Sequence, residues 1–303
     1  MILHNDKELF EQAVLRASDD MGIEAGIIEK DYFVTLMLKE IVKSQPDILF
    51  KGGTSLSKCY KLINRFSEDI DLNLIGDEKP SESKRKNLKK HIVAATDKYG
   101  FEVLNYDEIR SRRDFNKYII DFPSIFGISG IKPYLIIETA IFFRSYPYKE
   151  MEASSLIYDY LLKTGLNDVI EKYSLQPFKI NVQTADRTLV DKVFALCDYY
   201  LSGRITEHSR HIYDIYKLLE VVEFNDELKS LAESVRQERT INKTCLSAAE
   251  GVDINALLGE IIDKKVYKDD YESITEVLLY DSVDYETALS GIKRVVESGV
   301  FKK

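Results

Sequence analysis

Apolar and polar residues follow two different periods along the chain, and each period predicts one type of element. Helical spacing over residues 6–44 predicts two helices, and strand-like runs follow at 47–51 and 67–74. A helix predicted over 54–63 separates those two strands. The later candidates are a helix that starts at Ser81 or Ser83 and ends at Gly100, and strands with the sequences FEVLNYD, FNKYIIDFP, PYLIIETAIF and FKINVQT.

The pattern becomes mainly helical from about residue 153, and only helices are predicted after the strand-like run at 178–184. The most apolar strand, PYLIIETAIF, is expected near the centre of the sheet. The chain is therefore predicted to be an α+β protein with a mixed sheet. Its predicted domains are residues 1–185, which hold the sheet and the N-terminal helices, and residues 186–303, which are helical.

Two aspartates on one predicted strand are the first candidates for chemistry. Side chains alternate between the faces of a strand, so Asp69 and Asp71 project from one face and Ile70 from the other. Neighbouring carboxylates repel each other unless a cation lies between them, and a hard divalent cation such as Mg²⁺ accepts these oxygen ligands. The alternative is an edge strand with solvated carboxylates. The apolar residues between and after the aspartates favour the metal site.

A glycine pair precedes the helix that leads to the aspartates. Gly52 and Gly53 allow a tight turn, and a helix that starts near Thr54 and Ser55 offers backbone N–H groups to an anion. A metal site beside a phosphate site is the equipment of phosphoryl or nucleotidyl transfer.

Glu138 and Lys192 each allow a structural and a functional interpretation. Glu138 interrupts an apolar strand, where it either pairs with Arg144 or a nearby lysine, or acts as a third metal ligand or as the base that accepts the proton of an attacking hydroxyl. Lys192 falls just outside the apolar border of its helix. From there it either extends to solvent or neutralises a triphosphate, and spacing alone favours the former.

Asp214 lies in the helix RHIYDIYKLL, which is apolar over most of its circumference. Arg210 and Lys217 are within one helical turn, and an ion pair with either residue explains the aspartate well.

Composition limits the class of protein. The chain has 42 Lys and Arg against 51 Asp and Glu, and a net charge of −9 counts against a general nucleic-acid coat. Basic residues still cluster at 84–90 and 110–113, which form either a solvated face or a contact with an RNA backbone. No run of about 18 apolar residues predicts a membrane span. Three widely spaced cysteines fit reduced thiols, and a cytoplasmic location is expected.

Four sequence blocks occur in order along the chain: IEKDYFVT (28–35), KGGTSLSK…RFSEDIDL (51–72), TLVDKVFAL (188–196) and RHIYDIYKL (210–218). Together they resemble the motifs of AbiEii/AbiGii-type nucleotidyltransferases, which are toxins of abortive-infection and toxin–antitoxin systems. That family belongs to the DNA polymerase β-like superfamily, whose signature is a glycine pair followed, after a helix, by two aspartates on the next strand. The helices after residue 225 carry no motif that we can place.

The resemblance implies a role for each matching residue. The implied metal ligands for Mg²⁺ or Mn²⁺ are Asp69, Asp71 and, at a position where toxins of this family vary, Glu138. Ser67 would lie close to the nucleotide phosphates. The residues implied to contact the triphosphate of an NTP are Gly52, Gly53, Thr54, Ser55 and Lys192. Lys192 and Asp214 match the lysine and aspartate that the family requires in its helical lobe.

The implied protein is a polymerase β-like nucleotidyltransferase lobe followed by a helical lobe, with an active cleft between them. It would move NMP from an NTP to an RNA, with the tRNA 3′ end as the expected acceptor, and arrest growth. The expected partners are an NTP, the RNA and a cognate antitoxin, and a monomer without membrane contact is expected. Two alternatives are a transferase that modifies protein hydroxyls and an inactive nucleotide-binding module. The intact aspartate pair, Lys192 and Asp214 argue against the inactive form.

Overall fold

The fold is built around a mixed sheet that carries the aspartate pair on its central strand. The structure is a computed structural model, and it describes residues 1–76, 80–127, 132–141 and 146–302. Its strands are β1 (Ile48–Lys51), β2 (Asp69–Leu74), β3 (Glu102–Val103), β4 (Phe115–Asp121), β5 (Leu135–Ala140), β6 (Tyr148–Ala153) and β7 (Phe178–Gln183). Within the described residues these seven strands are ordered β3-β4-β5-β2-β1-β7-β6. The predicted α+β class is confirmed, and the apolar strand β5 lies inside the sheet beside β2.

Helices precede, connect and follow the strands. Those that come before the end of the sheet are α1 (Lys7–Met21), α2 (Ala25–Ser44), α3 (Gly52–Lys58), α4 (Glu82–Lys98), α5 (Leu156–Lys163) and α6 (Asn167–Lys172). Those that follow it are α7 (Ala185–Leu201), α8 (Arg210–Leu218), α9 (Asp226–Arg239), α10 (Ile254–Lys264), α11 (Lys268–Asp270) and α12 (Tyr285–Ser298). Across the part of the chain that is described, no helix has the length and apolar character needed to cross a membrane.

Contacts divide the chain into two compact units. The first unit consists of Met1–Tyr60 and Ser67–Val182, and the second consists of Lys61–Phe66 and Gln183–Lys303. The segment Lys61–Phe66 thus belongs by contact to the helical unit, although α3 and β2 of the first unit flank it in sequence. The predicted domain boundary at residue 185 stays a prediction.

The register of the sheet aligns four charged residues on four neighbouring strands. Asp71 is opposite Lys51 of β1 and Glu138 of β5, and Glu138 is in turn opposite Lys117 of β4. Directly opposed residues project from the same face of a sheet. One face of the sheet therefore carries a charge row, Lys51–Asp71–Glu138–Lys117, while Ile70 on the other face is fully buried.

Three elements differ from the predicted ones. Helix α3 ends at Lys58 rather than at residue 63, and Lys61, within the predicted helix, adopts a left-handed conformation with φ of 51°. Beyond it, the backbone N–H of Phe66 donates to the carbonyl of Leu278 at 3.0 Å. Strand β6 was not predicted, because its sequence YKEMEA is mostly polar, as suits a strand at the edge of the sheet. The run FEVLNYD forms a strand only over two residues, Glu102 and Val103.

A close helix contact in the second unit depends on one glycine. Helices α8 and α12 approach each other at Gly291, where an added Cβ would lie 2.8 Å from the backbone Cα of Tyr216. A contact of this length with backbone atoms can be relieved only by moving one of the helices.

We predict that Gly291→Ala destabilises the protein by roughly 1–3 kcal/mol, because the overpacking cost exceeds the gain in helix propensity. Urea unfolding of the purified protein measures this change. Gly259→Ala is the matched control, because Gly259 is also inside a helix, α10, and no heavy atom lies within 4 Å of its added Cβ. The control should be stabilised by up to about 1 kcal/mol. Equal stability of the two variants would contradict the close approach of α8 and α12.

Candidate active site

Asp71 lies directly against the backbone of Gly52, and this contact defines the candidate site. An added Cβ at Gly52 would be 2.0 Å from Oδ2 and 2.9 Å from Cγ of Asp71. Gly52 also has φ of 76°, a conformation that side chains with a Cβ rarely adopt. Asp69 precedes Asp71 by two residues on β2, and both are half-buried on the same face. The first turn of α3 and the start of β2 therefore hold each other in place.

Hydroxyl groups connect the same two elements. Thr54 Oγ1 donates to the carbonyl oxygen of Asp69 at 2.6 Å and lies 3.0 Å from Ser67 Oγ, and Ser55 Oγ donates to the carbonyl of Gly52 at 2.8 Å. A hydroxyl has one proton to donate, so the protons of Thr54 and Ser55 are used within the fold. The predicted triphosphate contacts of these two residues would therefore depend on backbone N–H groups rather than on their side chains.

A buried lysine that the sequence analysis did not single out supports the start of β2. Lys30 of α2 is 2% exposed, its Nζ binds the carboxylate of Glu68, and it donates to the carbonyl of Lys132 at 2.6 Å. Glu68 directly precedes Asp69. Burial lowers the pKa of Lys30, and the nearby carboxylates of Glu68 and Asp69 oppose that shift. Lys30 therefore brings positive charge to the edge of the aspartate pair.

Helix α2 also holds the C-terminal end of α3, the helix that starts at Gly52. Lys58, the last residue of α3, donates to Asp31 Oδ1 at 2.5 Å and to Thr35 Oγ1 at 2.6 Å. Asp31 Oδ2 accepts from the backbone N–H of Leu156 at 2.8 Å. The signal for these supports was present in the sequence as charged residues, 29–31, inside an otherwise apolar helix.

Glu138 makes an ion pair with a lysine, as one of its predicted alternatives required. Lys117 Nζ lies 3.4 Å from Glu138 Oε1, and the Glu138 side chain is 26% exposed. The other predicted partner, Arg144, lies outside the described residues. Among the residues that are described, no group of three or more His, Cys, Asp or Glu side chains is arranged to hold a metal ion. Glu138 as a third metal ligand therefore stays a prediction.

The aspartate pair nevertheless fits a hard divalent cation. Two carboxylates project from one face, and the missing Cβ of Gly52 leaves space at Asp71 that any other residue would fill. Mg²⁺ is usually held by one or two protein carboxylates, with water and substrate phosphates as its other ligands. The pair therefore matches the number of carboxylates that a protein usually contributes to a Mg²⁺ site.

Asp214 and Lys192 meet in the second unit, together with Arg65. Asp214 has no exposed surface; its Oδ1 accepts from Arg65 Nε at 2.7 Å, and its Oδ2 accepts from Arg65 Nη2 at 2.7 Å and Lys192 Nζ at 2.5 Å. Lys192 is only 7% exposed, which differs from the surface position that its spacing suggested. Lys217, a predicted partner of Asp214, instead binds Glu220.

The charges of this Arg65–Asp214–Lys192 triad determine which member can titrate. Burial alone would raise the pKa of Asp214, but the two cations outweigh it and hold that pKa well below its usual range. Burial lowers the pKa of Lys192, and Arg65 adds to the effect while Asp214 opposes it. One carboxylate between two cations leaves a buried excess of positive charge. Lysine is the member that can lose its proton, because arginine does not deprotonate in proteins.

We predict unequal stability costs for removing the acid and for removing the lysine of the triad. Asp214→Asn leaves two buried cations without a counter-charge and should cost about 3–5 kcal/mol of unfolding free energy. Lys192→Met leaves the matched Arg65–Asp214 pair and should cost less than about 1.5 kcal/mol. Urea unfolding at neutral pH measures both. Because the pKa of Asp214 is depressed, the stability difference between wild type and Asp214→Asn should persist at neutral pH and shrink under strongly acidic conditions.

If Lys192→Met and Asp214→Asn lost similar amounts of unfolding free energy, Lys192 would not be the surplus cation of the triad. The comparison also separates folding from chemistry. Lys192→Met should report what the lysine does in a folded protein, whereas lost activity in Asp214→Asn would include lost structure.

Comparison with known proteins gives a family and a fold. A family model described as "Nucleotidyl transferase AbiEii toxin, Type IV TA system" matches residues 36–294. No curated protein matches the sequence. Among solved structures, MenT4, a nucleotidyltransferase toxin from Mycobacterium tuberculosis H37Rv, has a TM-score of 0.52 at 16% identity, over 98% of this chain and 89% of that chain. JHP933 from Helicobacter pylori has a TM-score of 0.46 at 17% identity, over 90% and 91% of the two chains.

The family match carries the assignment, while the likeness to MenT4 shows a shared fold. The matched range includes the glycine turn, the aspartate pair and the triad, and it excludes the first block, 28–35. Members of this family generally use an NTP and a divalent metal, and a type IV system pairs the toxin with a cognate antitoxin. The chain belongs to the AbiEii family and is a nucleotidyltransferase toxin of a type IV toxin–antitoxin system.

Proposed function

We propose that this toxin transfers a nucleoside monophosphate from an NTP to the 3′ hydroxyl of an RNA, with tRNA as the expected acceptor, and thereby arrests growth. The observation that supports this most is the Asp71 carboxylate held against Gly52, with Asp69 on the same face of β2. In the reaction, the acceptor oxygen forms a bond to the α-phosphorus while the bond from that phosphorus to the bridging oxygen of pyrophosphate breaks. The hydroxyl proton passes to a base or to water, and pyrophosphate leaves.

Asp69 and Asp71 are the residues that would hold Mg²⁺ or Mn²⁺. Such an ion supplies Lewis-acid polarisation of the phosphate and neutralises developing charge. The protein's own contribution is a fixed geometry. Gly52 sets the position of Asp71, the Thr54 hydroxyl holds the Asp69 carbonyl, and Lys30 holds the preceding Glu68.

The triphosphate is proposed to lie along the turn from Gly52 to Ser55, near Ser67. The hydroxyls of Thr54 and Ser55 donate within the fold, so the contacts we propose from this turn are backbone N–H groups, with Gly53 free of a side chain. Glu138 remains the carboxylate beside the pair, opposite Asp71, and is our candidate to receive the hydroxyl proton.

Lys192 is proposed to supply positive charge for the reaction, and Asp214 to act as a positioning residue. Both carboxylate oxygens of Asp214 accept hydrogen bonds from Arg65 or Lys192, which supports a role in orienting the lysine rather than in binding metal. We propose that the toxin works as a monomer.

The acceptor class is tested by incubating the protein with α-labelled NTPs and Mg²⁺ or Mn²⁺, together with total RNA or cell protein. Label should enter RNA, should be lost on chelation, and should fall on the order of 10²–10³-fold in Asp69→Asn, because that variant removes a charge at the reaction centre. Asp121→Asn is the control, since it neutralises an exposed carboxylate at the end of β4. Label in protein instead of RNA would refute the RNA acceptor. Full activity of Asp69→Asn would refute the metal site.

A second prediction concerns the contact between Gly52 and Asp71. Gly52→Ala should reduce transfer by about a hundredfold or more, because the new Cβ must displace the Asp71 carboxylate and a shift of about 1 Å is costly to catalysis. Single-turnover labelling measures the loss.

Gly100→Ala separates this effect from backbone strain. Gly100 has a similar φ of 70°, but nothing lies within 4 Å of its added Cβ. Gly100→Ala should lose only the stability that this backbone strain costs, Gly52→Ala should lose at least as much, and only Gly52→Ala should lose activity. If the two variants transfer label equally well, the Gly52 contact does not position Asp71 for the reaction.

A further inference from the structure

Positive charge is concentrated in one part of an acidic protein. The chain has a net charge of −9, yet residues 82–90 and 104–117 together hold nine basic and four acidic side chains. The two stretches are neighbours in the first unit, because Arg85 Nη1 of α4 donates to the carbonyl of Arg112 at 3.0 Å. A local excess of positive charge in an acidic protein attracts polyanions to that site, while the rest of the surface does not bind them.

Part of this charge is used to build the surface rather than to bind. Arg85 pairs with Asp114 at 3.0 Å, and Lys89 donates to the carbonyl of Ile109 at 3.1 Å and covers the ring of Tyr106 at 4.3 Å. For residues 84–90 as a whole, the choice between a solvated face and an RNA contact stays a prediction. Arg85 and Lys89 hold the segment before β4 in one conformation.

The segment held in this way presents arginines and aromatic rings to solvent. Arg110 and Arg113 are exposed, although Arg110 Nη1 also donates to the carbonyls of Asp107 and Ile109, and Arg113 Nη1 to the carbonyl of Glu108. Tyr106 is 51% exposed and Phe115 is 44% exposed. The side chain of Asn116 bonds both the N–H and the carbonyl of Arg110, at 2.9 and 3.0 Å. The backbone that carries the first arginine is thus fixed to β4, and the surface is ordered before any ligand binds.

The sheet register connects this surface to the aspartate pair. Phe115 and Lys117 alternate with Asn116 on β4 and project from the face that carries Glu138 and Asp71. Two strand spacings separate Lys117 from Asp71, which is roughly 10 Å across the sheet. The exposed aromatic and basic residues therefore continue the charge row away from the site of transfer.

We propose that Tyr106, Arg110, Arg113, Phe115 and Lys117 form an acceptor track that binds the single-stranded 3′ segment of the RNA. This inference rests on the proposed function, since it presumes an RNA acceptor. Arginine and lysine bind phosphates, and an exposed aromatic ring stacks on a base of any identity. A duplex would offer no unstacked bases to these rings, so the occupant is a single-stranded end.

Binding is measured in an Asp69→Asn background by fluorescence anisotropy, with a single-stranded RNA of about 12 nucleotides as the probe. Phe115→Ala should weaken binding by about five- to a hundredfold at every salt concentration, the range expected for one lost stacking contact. Phe115→Tyr should bind like the parent, and Phe115→Leu should behave like Phe115→Ala, because a leucine is apolar but cannot stack.

The arginines should act through salt dependence. Arg110→Gln combined with Arg113→Gln should lower the slope of log affinity against log salt by about one to one and a half. Lys243→Gln combined with Lys293→Gln removes the same charge from exposed positions in the second unit and should leave the slope unchanged. In otherwise wild-type protein, the Phe115→Ala and double-arginine variants should raise the KM for RNA with little change in kcat.

The outcomes separate this inference from the proposed function. If wild-type protein labels RNA and the Phe115 and arginine variants bind and label it as well as the parent, the acceptor track is refuted while the function stands. If wild-type protein labels no RNA and labels protein, the proposed function itself fails. If the Phe115 and arginine variants lost binding to an acidic protein partner but bound RNA as well as the parent, that result would also refute the track.

Discussion

A carboxylate can rest on the polypeptide backbone only where no Cβ intervenes, and the candidate site depends on that condition at Gly52. The contact with Asp71 joins the first turn of α3 to the central strand of the sheet. Side chains from α2 then hold both partners, with Lys58 bound to Asp31 and Lys30 bound to Glu68. A helix with a mostly apolar sequence therefore holds in place the two elements that carry Gly52 and the aspartate pair.

The negative charges of the aspartate pair and of Asp214 lie in different environments. Asp69 and Asp71 are half-buried on one strand face, an arrangement suited to a cation from solution. Asp214 is completely buried and receives its counter-charge from Arg65 and Lys192 of the same unit. Residue type alone does not distinguish these two situations, whereas burial and the identity of the neighbouring donors do.

Local signals in the sequence were enough for the fold class, most helices and the placement of the aspartates on one strand. They were enough because period, caps and glycines act within a few residues. The partner of Asp214 was not predictable, since Arg65 is 149 residues away and helical spacing pointed to nearer cations. The burial of Lys192 and the pairing of Glu138 with Lys117 also depend on packing and register. Edge strand β6 was missed because its polar sequence carries no strand period.

The segment Lys61–Phe66 makes the helical unit discontinuous, since it supplies Arg65 to a group of residues that otherwise starts at Gln183. A fragment cut at residue 183 would keep Asp214 and Lys192 but lose the arginine, together with the segment that pairs with Leu278. The same holds for genetic exchange between related toxins. A single crossover in the sheet region would combine Arg65 of one parent with Asp214 of the other, so these two residues are expected to be inherited as a pair across nearly half the gene.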